Sequence, residues 1–177
     1  MPRRAAARLA GAFAAALALS ASLPAFGADP APKTLAVLDI EVEGDMSDAA
    51  RLPEWEARAD LLRRTLKAEL DAAGLYRVLD DAPAADLLAD LRTRRGVHAC
   101  EACILEVAQR LDSDRVLSAR VFRMSNLVLT LHIDVRDGDT GAVVVRKILD
   151  FRGDNDHAWL KAGAYFVRWL GEEQGRR

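Results

Sequence analysis

Residues 127–136, LVLTLHIDVR, alternate without a break. Leu127, Leu129, Leu131, Ile133 and Val135 share one face, and Val128, Thr130, His132, Asp134 and Arg136 share the other. A period of two with one apolar side is the pattern of a strand that closes a core on one face only. The flanks extend that reading. Arg115–Met124 is an apolar strand before it, and DGDTG at 137–141 is a turn into a further strand, Ala142–Phe151. Three strands joined by short turns predict an antiparallel meander. A final helix, about Asp156 to Gly171, confines its polar residues to a narrow stripe of Lys161, Tyr165, Arg168 and Glu172. It should therefore pack deeply on the sheet through Trp159, Ala162, Phe166, Trp169 and Leu170.

Upstream, TLAVLDIEVEG (34–44) is apolar on both faces at first and then alternates with Glu41 and Glu43, so it reads as a strand that starts buried and ends wet. PEWEARADLLRRTLKAELDAAG (53–74) repeats apolar residues at Trp55, Ala59, Leu62, Leu66, Leu70 and Ala73, one stripe of a helix. Glu54, Glu56 and Asp60 crowd its start and Gly74 supplies a left-handed stop. LYRVLD (75–80) makes a short second strand, and residues 83–94 and 101–111 two shorter helices. The order predicts an α/β (α+β) fold: a single mixed sheet with a C-terminal antiparallel meander and helices packed on it.

The N-terminus sets the expected compartment. Arg3, Arg4 and Arg8 precede an uncharged run from Leu9 to Leu19, and Ala25-Phe26-Gly27 is a workable cleavage motif. That is the grammar of a secretory signal peptide over residues 1–27, leaving one domain over 28–177 in an oxidising space, most simply a bacterial periplasm. Cleavage takes the formal charge from −2 to −5, because the three arginines go and all 27 acidic residues stay. A mildly acidic chain is not built to hold nucleic acid by charge. No second apolar span follows the signal.

Both cysteines fall in VHACEAC (97–103). Cys100 and Cys103 lie one helical turn apart, so their sulfurs can meet. In an exported chain that spacing reads first as a disulfide staple. Two other readings stay open. A thiolate at a helix start near Arg92, Arg94, Arg95 and His98 would be activated for redox chemistry, with Glu101 opposing. His98, Cys100 and Cys103 also supply three ligands suited to zinc or copper, without an evident fourth. Covalent haem is excluded because Ile104, not histidine, follows the second cysteine.

Other motifs have simpler readings. DGDTG lacks the further acidic ligands of a calcium loop, Ile148 standing at the bidentate position. Asp154, Asn155 and Asp156 precede the last helix, where they are expected to cap free backbone donors, with His157 a polar first-turn residue. There is no nucleophile elbow, phosphate loop or dinucleotide fingerprint, so neither a reaction nor a cofactor is expected from these residues. The candidate binding residues are those of the polar strand face and its ends: Asn126, Thr130, His132, Asp134, Arg152, Asp154 and Asp156.

LAVLDIEVEG, a long helix and then AAGLYRVLD resemble the opening unit of periplasmic domains such as the N-terminal domain of TolB and the core of CsgG, which are assembly and interaction modules. A longer resemblance runs through the cysteine pair, Met124-Ser125-Asn126-Leu127 and Arg152-Gly153-Asp154-Asn155-Asp156-His157-Ala158-Trp159. These segments are similar to the cysteine pair, "VSNL" and "RGNTDESW" of an exported bacterial family known as domain of unknown function 3280/2380, with departures at Met124, Asp154, Asn155, His157 and Ala158. The resemblance implies a TolB N-terminal-like fold and an exported protein, but no activity. The resulting expectation is a non-catalytic interaction or accessory module whose partner is a periplasmic or envelope protein. A thiol-redox or metal-handling role for Cys100 and Cys103 is the alternative.

Overall fold

The computed structural model describes residues 31–94 and 96–176. The expected signal peptide lies outside them, as does Arg95. Five strands form one mixed sheet in the order β2-β1-β3-β4-β5. β1 is Thr34–Gly44, β2 Arg77–Val78, β3 Arg115–Arg123, β4 Val128–Asp137 and β5 Val143–Arg152. β1 runs parallel to both its neighbours, while β3, β4 and β5 form the antiparallel meander. The helices are α1 (Leu52–Ala72), α2 (Ala85–Arg92), α3 (Glu101–Leu111) and α4 (Asp156–Gly175). The α+β architecture expected from the alternation is thus the observed one. Boundaries move by a residue or two, except that α4 runs four residues past Gly171.

The two faces of the sheet are covered differently. One face carries α1 and α4, which bury Leu62, Leu66, Leu70, Trp159, Phe166 and Leu170 against Leu35, Val37, Leu117 and the inward residues of β4. Those inward residues are Leu129, Leu131, Ile133 and Val135, the face read from the sequence. α1 and α4 approach closely at Gly163, where a Cβ atom would stand 2.7 Å from the Leu62 Cδ1 methyl. α1 then stops at Gly74, which takes the left-handed conformation (φ 66°) while Leu75 N–H donates back to the Leu70 carbonyl.

The opposite face holds a smaller core of Leu87, Leu88, Leu91, Ile104 and Val107 over Ala36, Leu38 and Val116. α2 and α3 therefore cover β1 and the start of β3. Over the rest of the meander this face carries no helix among the described residues, and Phe122, Val128 and Ile148 are exposed on it. The face is less wet than the alternation suggested, because Thr130 is buried and donates to Asp150 (2.9 Å).

The unequal strands leave a gap. β2 pairs with β1 only at Thr34 and Leu35, whereas β3 follows β1 from Leu35 to Gly44. Past Leu35, the outer edge of β1 has no strand beside it among the described residues.

Candidate functional site

That open edge lines a groove of about 1060 Å³. Its floor is β1 from Leu38 to Gly44, one wall is α1 at Trp55, Glu56, Ala59, Asp60 and Arg63, and the other is α2 and the following turn at Leu88, Leu91, Arg92, Arg94 and Val97. Arg63 reaches in from α1 and donates to the Val37 carbonyl (3.0 Å), capping the strand edge where β2 leaves off. Arg92 is ion-paired to Asp39 across the groove. Among the described residues, five carboxylates line it, Asp39, Glu41, Glu43, Glu56 and Asp60, against three guanidiniums, Arg63, Arg92 and Arg94. The groove is therefore net acidic. Glu56 is exposed and has no ion-pair partner among the described residues.

On the groove floor, Glu41 works as an anchor. Its carboxylate accepts from the backbone N–H of Gly96 (2.8 Å), Val97 (3.1 Å) and His98 (3.0 Å) and meets the His98 ring through Nδ1. Burial opposes ionisation of Glu41, but the His98 amide and ring and the Val97 amide outweigh it and hold its pKa below the usual carboxylate value. Glu43 sits 3.7 Å from the same Nδ1 and is ion-paired to Arg120 (2.6 Å). Glu41, Glu43 and His98 are close enough together to suit a cation. Yet Glu41 is already engaged by backbone donors and Glu43 by a guanidinium, so the cluster reads as the lock that ties residues 96–98 to β1.

The cysteine site differs from its candidate ligand set. Cys100 and Cys103 are joined as a disulfide with Cα atoms 5.3 Å apart, and Cys100 Sγ also accepts from Cys103 N–H at the start of α3. His98 does not converge with the two sulfurs; it groups with Glu41 and Glu43 instead. Among the described residues, the neighbouring arginines are engaged elsewhere, Arg92 with Asp39 and Arg94 with Asp90. Changing both cysteines to serine should lower stability by about 2 kcal/mol, the loop-closure value for so short a ring. Serine retains a capping oxygen for α3, so the loss isolates the cross-link. Urea midpoints at unchanged slope measure it, and an unchanged midpoint would show that the bond stabilises nothing.

The candidate binding residues fall into two groups. Thr130, His132, Asp134 and Arg152 lie on the uncovered side of the meander. There Asp134 is held by Arg146 (2.7 and 2.8 Å) and Thr130 by Asp150, both pairs reaching from β4 to β5. Burial, then Arg120 and His98, hold the His132 pKa below the usual imidazole value.

Asn126, Asp154 and Asp156 converge at the other end of the sheet. The Asp154 side chain, 3% exposed, accepts from Trp55 Nε1 (2.9 Å), Arg58 (2.7 Å) and Arg123 (3.1 Å). Arg58 also donates to Asp156 (2.8 Å) and Arg123 to Asn126 (2.8 Å). The Arg123 guanidinium stacks on the Trp55 ring, 3.5 Å from its centroid. The expectation of three caps before α4 is corrected here. Only Asn155 caps, accepting from Ala158 N–H (3.0 Å), while Asp154 and Asp156 bind arginines. The groove escaped the sequence reading altogether, its one signal being Asp80, Asp81 and Pro83, which cut β2 short.

Residues 33–169 match the family model of a protein of unknown function, DUF3280 (DUF2380). The chain belongs to this family. The MSNL and RGDNDHAW segments on which the resemblance rested are, in this DUF3280 member, the two sides of the Arg123 and Arg58 network. No curated protein sequence matches the chain. Among solved structures it is similar to LpoB of Escherichia coli, with a TM-score of 0.52 and 15% identity over 71% of this chain and 58% of that one. The chain thus spans little more than half of the LpoB chain. A PelC dodecamer from Paraburkholderia phytofirmans gives a TM-score of 0.50 at 16% identity over 80% of this chain and 90% of that one. TolB from Acinetobacter baumannii gives 0.47 at 12% identity, over 81% of this chain and 28% of that one. At these identities the likeness is one of fold. Among the described residues no helix is long and apolar enough to cross a membrane.

Proposed function

We propose that this protein is a non-catalytic accessory module of an envelope or periplasmic system, exported by residues 1–27 and working as one domain over 28–177, and that it captures an extended, basic segment of a partner protein. The observation that carries this reading is the groove along the unpaired edge of β1. An open strand edge offers alternating N–H and C=O groups to an incoming strand, which supplies affinity through the main chain, while the walls select side chains. The walls here select by charge. Glu56, exposed on α1 with no ion-pair partner among the described residues, and Asp60, exposed one turn on beside Arg64, favour a segment carrying lysine or arginine. The similarity of fold to LpoB and PelC, and a sequence without nucleophile or cofactor motifs, support the same class.

A photo-activated cross-linker placed at position 56 or 92 of the full chain, in the cells that make it, tests this. Both positions should label one short segment of one partner, and a control at Arg168 on α4 should not. A synthetic peptide of that segment should bind the purified protein and lose about tenfold in affinity to the double variant Glu56→Lys, Asp60→Lys. Labelling no stronger than at position 168, or peptide binding indifferent to the charge reversal, would overturn the proposal.

A further inference from the structure

The opposite edge of the sheet points to a second partner. β5 pairs with β4 from Val143 to Arg152, with one irregularity at Val144, and is the last strand of the sheet, so among the described residues its outer edge is open over ten residues. Natural edges of that length are usually short, covered or interrupted, because an open edge pairs with any suitable strand. The packing beneath it is also unfinished. On the helix-covered face, Leu129, Leu131, Ile133 and Val135 of β4 are fully buried, whereas Val145, Leu149 and Phe151 of β5 are only partly so. On the other face Ile148 is 53% exposed. The core ends at β5 as if cut.

We infer that β5 pairs antiparallel with β5 of a second copy of this chain, about a two-fold axis at Ile148, so that two five-stranded sheets become one. The residue charges select that register. Centred on Ile148, Arg146 of each copy faces Asp150 of the other, twice, and Ile148 meets its own copy between them. Centring on Lys147 would set that lysine against itself, and centring on Leu149 would set Arg146 against Arg152. Like charges directly opposite destabilise a strand pair, and a one-residue slip between these registers would set the covered face of one copy beside the bare face of the other. Both charged partners have capacity left. Arg146 holds Asp134 through Nε and one Nη, and Asp150 accepts from Thr130 through Oδ1, leaving the second Nη and Oδ2 for the neighbour. This edge is the far one from the β1 groove, so the inference stands independently of the proposed capture of a basic segment.

Charge exchange tests it on the purified protein. The parent chain should sediment as a dimer. Arg146→Asp alone and Asp150→Arg alone should each be monomeric, because each sets two like charges against each other twice. An equimolar mixture of the two variants should recover the dimer. In the mixed pair the aspartate introduced at position 146 faces the arginine introduced at position 150, and the unchanged Asp150 of the first variant faces the unchanged Arg146 of the second. The recovery also answers the concern that Arg146→Asp merely loses its bonds to Asp134, because a misfolded variant would not reassemble with its counterpart. A monomeric parent at all concentrations, a dimer that survives either single reversal, or a mixture that stays monomeric would each overturn the inference.

Discussion

Asp154→Ala is expected to lower the unfolding free energy by about 3–5 kcal/mol, the cost of leaving a buried ion without its partner. The figure follows from what Asp154 holds. Arg58 is 6% and Arg123 1% exposed at the side chain, and the one carboxylate between them also takes the Trp55 indole N–H. Removing it leaves Arg123 with the Asn126 oxygen and the Asp45 carbonyl as its remaining acceptors, in a site where its Nε already lacks one. Arg58 fares better, because Glu54 and Asp156 remain. The loss is thus concentrated at Arg123, whose removal together with Asp154, as Arg123→Met in the double variant, should restore part of the stability by eliminating the stranded charge. Chemical denaturation of the parent and the two variants checks this. An Asp154→Ala midpoint within about 1 kcal/mol of the parent would mean that water solvates the arginines freely and that the network contributes little.

The same residues show where sequence reading stops. The sheet was legible because its cause is local: LVLTLHIDVR can bury one face only as a strand, and the flanking turns fix the order of the meander. The long helix was legible for the same reason, its stripe meeting the core at every turn. Asp154 was not. Three polar residues before a helix are cap vocabulary, and nothing within ten residues indicates that the first of them will meet Trp55 and Arg58 from a helix nearly a hundred positions earlier. His98 behaves alike. Its place ahead of CEAC suggests soft-metal chemistry, but the docking of the 96–98 turn on β1, through three backbone N–H groups to Glu41, brings Glu41 and Glu43 to its ring instead. The groove depends on a length rather than a residue. LYRVLD reads as a short second strand, but how few of its residues would pair, and so how much of the β1 edge stays open, is not written in its composition; only Arg77 and Val78 pair.

Trp159→Ala should cost about 3–5 kcal/mol, the range for truncating a buried aromatic side chain. The indole is fully buried in the cluster that joins α1, α4 and the meander. It meets Phe151 of β5 edge to face at 6.3 Å and lies under the Arg58 guanidinium at 5.6 Å. Its Nε1 has no hydrogen-bond partner among the described residues, so the ring's volume and faces hold it rather than its polar atom. Trp159→Phe should therefore be much milder than alanine, since it keeps an aromatic face against Phe151 and Arg58 and removes a buried donor that bonds nothing. The alanine variant opens a cavity between α4 and β5, the least covered strand of the sheet, and a domain of this size has only about 5–15 kcal/mol to lose. Its soluble yield should fall along with its urea midpoint. If Trp159→Ala unfolds at the parent's midpoint, α4 is a peripheral helix that the sheet does not need.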